Sequence, residues 1–554
     1  MEFLGLHYAI WIILVLYFVG MLLMGWWSKR GIASQEGYLL GNRQFGWPMM
    51  VMHAFGAGTH PGNVAGVMSQ TVVSGAAGIW VSWMWLFGTP FYWIIAPIVR
   101  RMRCLTLADF FQERYGKSAG ILYIIVATVG MVVFLAGVLL ATTRTVQGMM
   151  GKALTDESEI WFFGILFITT AVFIIYSYWG GIIAAIRTDM IQGLMIIALS
   201  FIAIPAALRL EEVGGLAGMR ATLGAQEADY LSLFDPSPRG FSLLTVLLLC
   251  INAPLTMLAF PHLMSVCAAG KTEWEGRVGF TYGNILKRVC TIGWCVLGLC
   301  WLAYLINTSS AIHKDAAFGD SIRVLLSPAL QGVMLACVMA AAMSSGDAVQ
   351  VTVAGLFSQN IYRVYLNPKA DEKQLVSVTR IIGIIIAFLA LAVAILMRKD
   401  LVKAILDYFN ILSVVGISTA MGILWWRMNT TGMFSSTILA GASYILTRHV
   451  LAYGRDITIA VPIVVGVLAG VIGSLLTKPP KPETVEKFFK KIYVPIGQEQ
   501  KLDLPLDEAV PQSARWLTAG GLFIVKPSRQ SRVGFVVTLA ICLACVLVML
   551  AILK

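Results

Sequence analysis

Two hydroxyls and a carboxylate stand in the middle of a long apolar run. They are Ser344, Ser345 and Asp347 within MAAAMSSGDAVQVTVAGLFSQNIYR, Met339 to Arg363. The run holds no proline and reads as a helix. At roughly 100° per residue Ala341, Ser344, Ala348 and Val351 share one face, with Ser345 and Asp347 on its flanks. Oxygen ligands deep in an apolar medium are costly unless they meet a cavity, another polar group or an ion. Hydroxyls beside a carboxylate form a hard-oxygen set, suited to a small cation rather than a soft metal. Serines in membrane helices also bond back to carbonyls a turn earlier, an alternative that leaves Asp347 unexplained.

Composition says what must position these groups. Of 554 residues, 58% are hydrophobic and 13% charged, and mean hydropathy is +0.80. Soluble domains carry about 25% charged residues. Fourteen stretches are long and apolar enough to be candidate spans of a ~30 Å hydrocarbon core: 8–27, 47–70, 77–98, 119–148, 159–179, 189–208, 241–260, 282–306, 329–358, 377–397, 402–426, 433–451, 457–477 and 533–553. This predicts an all-α polytopic membrane protein. A β-barrel is excluded because the runs are continuous, not alternating. The first run ends in Ser28-Lys29-Arg30 without a small-residue cleavage site, so a retained span is expected.

The net charge of +12 reports orientation and not a nucleic-acid partner. If the loop after the first span is cytoplasmic, most of the Lys and Arg fall inside. The opposite loops then carry Asp156, Glu157, Glu211, Glu212, Glu227, Asp229 and Asp235. Both termini are therefore expected outside an integral plasma (inner) membrane. Lys478 to Arg532 is expected to be a cytoplasmic surface linker, resting in part on membrane lipid. The nine cysteines lie almost all in apolar runs and read as small apolar residues.

Two spans are interrupted. GAGTHPG, Gly56 to Gly62, breaks the second; Asn252, Pro254 and Pro261-His262 break the seventh. Pro removes a backbone donor and Gly loosens the chain. Broken spans at matching places in two inverted halves point to a secondary transporter, with freed carbonyls available to a cation. Spans 2–6 and 7–11 would be the repeats.

With these pieces placed, the chain resembles the solute:sodium symporter family over most of residues 8–478. The resemblance rests on GYLLGNRQFGW (Gly37 to Trp47), LTLADFFQERYG (Leu105 to Gly116), YSYWGGIIAAIRTDMIQ (Tyr176 to Gln192), the Met339–Arg363 helix and GILWWRMNTTG (Gly422 to Gly432). It implies a LeuT-type 5+5 inverted-repeat core and sodium-driven import of a small organic solute by alternating access. It also implies a sodium site of Gly56, Thr59, Ala341, Ser344 and Ser345, with Na+ as coupling ion. Asp189 falls on a family carboxylate that serves a second cation site or proton path in some members. Asp347 departs from the hydroxyl found there. Two carboxylates in one pocket need a cation or a shared proton, unless each pairs with a basic neighbour, such as Asp189 with Arg187.

For the solute, Ser82 and Asn63 replace the acid and amide of sugar-transporting members, which argues against a sugar. Arg144 in ATTRTVQGMMG favours a carboxylate through a charge-assisted pair, or else snorkels. His60 and Asn252 at the breaks complete the candidate solute set. The predicted organisation is 1–46 first span and cytoplasmic loop, 47–208 first repeat, 241–426 second repeat, 427–477 accessory spans, 478–532 linker and 533–554 last span. A monomeric transport unit is expected. No enzyme is read, because His53, His60 and His262 have no thiol or carboxylate at ligand spacing. A proton-coupled symporter and a non-concentrating uniporter or sensor are the alternatives.

Overall fold

The computed structural model describes every residue except 1, 4, 29–34, 180–181, 238–239 and 518. Lys29 and Arg30, expected to close the first span, and Gly180-Gly181 of the YSYWGG stretch lie outside the described residues. The helices that matter below are α1 (Tyr8–Ser28), α2 (Trp47–Gly58), α3 (Pro61–Ser74), α4 (Tyr92–Arg101), α5 (Leu107–Tyr115), α6 (Lys117–Met149), α7 (Ser158–Trp179) and α8 (Ile182–Phe201). After them come α9 (Leu243–Ala259), α10 (Glu273–Thr308), α11 (Pro328–Phe357), α12 (Glu372–Leu396), α13 (Leu401–Leu424), α14 (Thr430–Ile445), α15 (Arg455–Leu475), α16 (Pro482–Tyr493) and α17 (Arg529–Leu553). Among the described residues, ten helices are long and apolar enough to cross a membrane.

Two of the stretches that differ from their predicted form bear on the site. Residues 77–98 are not one helix: short turns at Gly75–Ile79, Trp80–Trp83 and Thr89–Phe91 precede α4. The predicted span 282–306 begins earlier, at Glu273. There the Thr272 hydroxyl accepts from the Trp274 N–H and Glu275 returns the cap to Thr272, a capping box that fixes the start.

The broken pair α2–α3 is enclosed by α8, α10 and α11. α10 comes close because Gly279 and Gly283 face α2. A Cβ on Gly283 would fall 2.6 Å from the Val51 carbonyl, and one on Gly279 would fall 2.6 Å from Met50 Cβ. This is the small-xxx-small device that lets membrane helices approach backbone to backbone. α13 packs on α6 and α9 to complete the wall around the second break.

Candidate functional site

α2 ends where Thr59 turns extended (φ −120°, ψ 95°) and its N–H closes on the Gly56 carbonyl at 3.0 Å. Pro61 opens α3 at a position where its missing N–H is harmless. The Asn63 side-chain oxygen accepts from the His60 N–H at 3.0 Å. The gap is therefore Thr59–His60, and proline starts its second half.

Three helices bring side chains to this gap. From α11, Ser345 Oγ donates to the Gly56 carbonyl at 3.0 Å and Ser344 Oγ donates to Asp189 Oδ1. Asp189, on α8, is fully buried, and its Oδ2 lies 2.6 Å from Nδ1 of His53 on α2. A Cβ on Gly56 would lie 2.5 Å from Ser344 Oγ and 3.3 Å from Asp189 Oδ1. Glycine keeps that cradle open. Thr59 is buried with its hydroxyl unpartnered, and Ala341 is buried one turn before the serines. Gly56, Ser344 and Ser345 thus meet directly, in a setting of carbonyl, hydroxyl and carboxylate oxygens suited to a hard cation.

Asp189 takes its partners from α2 and α11. His53 has no carboxylate nearby in sequence and finds this one 136 residues on. Asp347 is buried on α11. Tyr17 of α1 lies within electrostatic reach of both carboxylates, and its hydroxyl accepts from Gln192 at 3.2 Å.

At the second break, α9 absorbs Pro254 without interruption and ends at Ala259. The Ala259 carbonyl accepts from the Tyr123 hydroxyl at 3.0 Å, and Asn252 Nδ2 donates to Asn410 Oδ1 at 3.0 Å. Between the breaks lies a cavity of about 30 Å³, walled by Trp85, Phe134, Phe260, His262 and Tyr408. It has room for one or two waters.

Lys287 and Arg288 of α10 also line this cavity. Both are buried. Lys287 Nζ donates to the Gly58 carbonyl at the end of α2. Arg288 donates to the Ser82 carbonyl at 3.2 Å and the Thr89 hydroxyl at 3.4 Å. Among the described residues no carboxylate faces either cation. The sequence reading does not single these two out, since a span beginning at 282 places them within its first two turns. Starting at Glu273, α10 carries them inward.

None of the five predicted solute residues lines the cavity itself. His60 comes nearest, with ring centroids 4.7 Å from Phe134 and 6.4 Å from Tyr408 and both ring nitrogens unpartnered. Asn63 is held by His60, Asn252 by Asn410, and Ser82 Oγ by Thr291 Oγ1 at 3.0 Å. Arg144, predicted to meet a carboxylate, is instead bound to Gln147 at 2.7 Å and to the Arg398 carbonyl at 2.9 Å. Its guanidinium lies over the Phe162 ring.

The model of the sodium:solute symporter family matches residues 38–440. The chain belongs to the sodium:solute symporter family. It is accordingly an integral, multi-pass membrane transporter and not an enzyme. As a member of that family it is similar to the osmoregulated proline transporter OpuE of Bacillus subtilis, 26% identical over 486 residues, covering 84% of this chain and 94% of that protein. The sodium/proline symporter of Salmonella typhimurium is 24% identical over 502 residues, 86% of this chain and 94% of that protein. Among solved structures, a Na+-coupled sialic acid symporter in a substrate-bound outward-open state superposes with a TM-score of 0.71 at 16% identity. It covers 87% of this chain and 99% of that one, which shows a shared fold.

Proposed function

We propose that this protein is a sodium-coupled secondary active symporter that imports a small organic solute by alternating access, favouring a carboxylate-bearing solute over a sugar. Support comes from one meeting of groups: Ser345 on the Gly56 carbonyl, with Ser344 and Asp189 beside it, at the gap in the first broken helix. Sodium would take oxygens from Gly56, Thr59, Ala341, Ser344 and Ser345. Asp189 and Asp347 would serve a second cation or a proton. The core would be a LeuT-type 5+5 repeat over 47–208 and 241–426 within about 14 spans. Residues 427–477 and 533–554 add accessory spans, 478–532 lies on the cytoplasmic side, both termini lie outside, and the monomer transports.

The preference for a carboxylate draws support from Lys287 and Arg288. Buried charge is unfavourable by several kcal/mol unless paired, and a solute carboxylate in the central cavity would pair it. Lys287 fills the role expected of Arg144. Proline, the solute named for the bacterial relatives, carries such a carboxylate and is the first compound to test.

The decisive experiment is thermal stability of the purified protein in NaCl against KCl and choline chloride at equal ionic strength. An ion at 100 times its Kd adds about 2.7 kcal/mol to the native state. Saturable stabilisation by sodium alone, lost in the Ser344→Ala, Ser345→Ala double variant, is the expected result; equal stability in the three salts sinks sodium coupling. The 2.6 Å contact of His53 with Asp189 favours proton coupling as the second reading. In that case uptake follows an imposed pH gradient without sodium, and His53→Gln abolishes it.

A further inference from the structure

Residues 478–532 lie beyond the match to the family model, yet the described ones among them are folded onto the helix ends. α16 is followed by short turns and by a small hairpin pairing Arg515–Leu517 with Ile524–Val525. The expected surface loop is a built structure. Arg103, between α4 and α5, holds it through the Lys491 and Pro495 carbonyls at 3.0 and 3.2 Å and through Glu499 at 3.1 Å, and three further attachments reach other helices. Near α5, Lys491 meets both oxygens of Glu113 at 2.6 and 2.7 Å. At the end of α13, the Phe523 N–H donates to the Leu424 carbonyl at 2.9 Å, and the Trp426 N–H donates to the Gly521 carbonyl at 2.7 Å.

The third of these attachments is Glu273, the first residue of α10. Its Oε1 accepts from Arg101 Nε at 2.8 Å and from the Ile496 N–H at 2.9 Å. Its Oε2 accepts from Arg101 Nη2 at 2.9 Å and from Arg277 Nη2 at 2.7 Å. One carboxylate therefore joins α4, α10 and the added segment. The attachments at Glu113 and Glu273 differ in strength. Glu113 is 43% exposed, and an exposed pair of this kind contributes about 0–1 kcal/mol. Glu273 is 13% exposed; it holds the Ile496 N–H at 2.9 Å, and Arg101, the guanidinium that bridges both its oxygens, also donates to the Tyr493 carbonyl at 3.1 Å, so this attachment is buried and charge-assisted.

We infer that residues 478–532 form a latch across this end of the helices, fastened at Glu273 and released when the ends of α4 and α10 separate. This rests on the proposed repeats, which place α4 in one and α10 with α13 in the other. Rocking of one repeat against the other then pulls directly on Glu273, where both repeats and the latch share one carboxylate.

Cys104 is a native reporter of release. It is buried beneath the latch, with Sγ 3.7 Å from Lys491 Nζ. Burial pushes its thiol well above the ordinary range, so it reacts slowly while covered. The test is the rate of N-ethylmaleimide labelling of Cys104 in the full-length protein, read by peptide mass, for the native chain, Glu273→Gln and Glu113→Gln. Labelling about tenfold faster in Glu273→Gln, equivalent to about 1.4 kcal/mol of easier opening, is expected. Glu113→Gln should change it less than about threefold. The latch is overturned if Glu273→Gln labels at the native rate, or if Glu113→Gln matches its acceleration. It is equally overturned if buried Cys267 and Cys337 gain reactivity in step with Cys104, since Glu273 then holds the whole fold. The assay needs neither sodium nor solute, so its outcome is separate from that of the transport proposal.

Discussion

At the first break the carbonyls of Gly56 and Gly58 accept from the Ser345 hydroxyl and the Lys287 ammonium; at the second, the Ala259 carbonyl accepts from the Tyr123 hydroxyl. Around the first stand His53, Asp189, Ser344 and the unpartnered Thr59 hydroxyl. Around the second stand Phe260, Tyr408 and Phe409, with an Asn252–Asn410 pair. Both places carry Pro, Gly or Asn in an apolar run, and only one gathers charge. A broken helix is thus an opportunity for ion binding. Whether it is used depends on what neighbouring helices deliver: a carboxylate and two hydroxyls in one case, a phenol and aromatic rings in the other.

The largest test of this contrast removes the hydroxyls. Ser344→Ala with Ser345→Ala should erase the sodium-specific gain of about 2.7 kcal/mol at saturating salt in thermal melts. A sodium response that persists in the double variant would move the ion elsewhere. Next is Lys287→Met, which deletes the ammonium between the first break and the cavity. Loss of a charge-assisted bond of about 1.5–3 kcal/mol should raise the KM for proline uptake into proteoliposomes roughly 10- to 150-fold. Arg144→Gln, away from the cavity, should leave that KM within about threefold; equal effects of the two would contradict the placement of the anion.

Gly56→Ala comes third. Its methyl group would meet Ser344 Oγ, and overpacking of this kind destabilises by about 1–3 kcal/mol. The melting temperature should fall and the sodium response weaken together; a drop in melting temperature with a full response would show that the cradle is not where sodium sits. The smallest effect is expected from Tyr123→Phe at the second break, about 1 kcal/mol for one uncapped carbonyl. Here the sodium response should be unchanged, and any loss of it would erase the distinction between the breaks.

Much of this was readable in the chain because it is local. Apolar run length locates α6, α11 and α17, and the Gly-Pro punctuation locates both gaps. The serine pair and Asp189 were found through motifs. What was not legible depends on which helices touch. His53 acquires Asp189 only when α2 meets α8. Arg144 has the chemistry of a carboxylate receptor, but Gln147 one turn on and the Arg398 carbonyl take its two terminal nitrogens first. Lys287 and Arg288 are not singled out by the sequence, because the polar stretch from Glu273 to Tyr282 resembles a loop by hydropathy, whereas its capping box and the two glycines against α2 make it helix.

The length of α10 has a mechanical consequence. Its 36 residues extend about 54 Å at ~1.5 Å each, well beyond a ~30 Å hydrocarbon core. Lys287 sits on this rod about 21 Å from Glu273, so it can serve as a fulcrum with the fastened end as a lever arm. A tilt of only about 5° about Lys287 swings Glu273 by about 1.8 Å, enough to carry a hydrogen bond past the ~3.5 Å limit. The Lys287 ammonium, where the proposed solute carboxylate would bind, and the carboxylate that holds the far end would thereby be geared to each other by a single stiff helix.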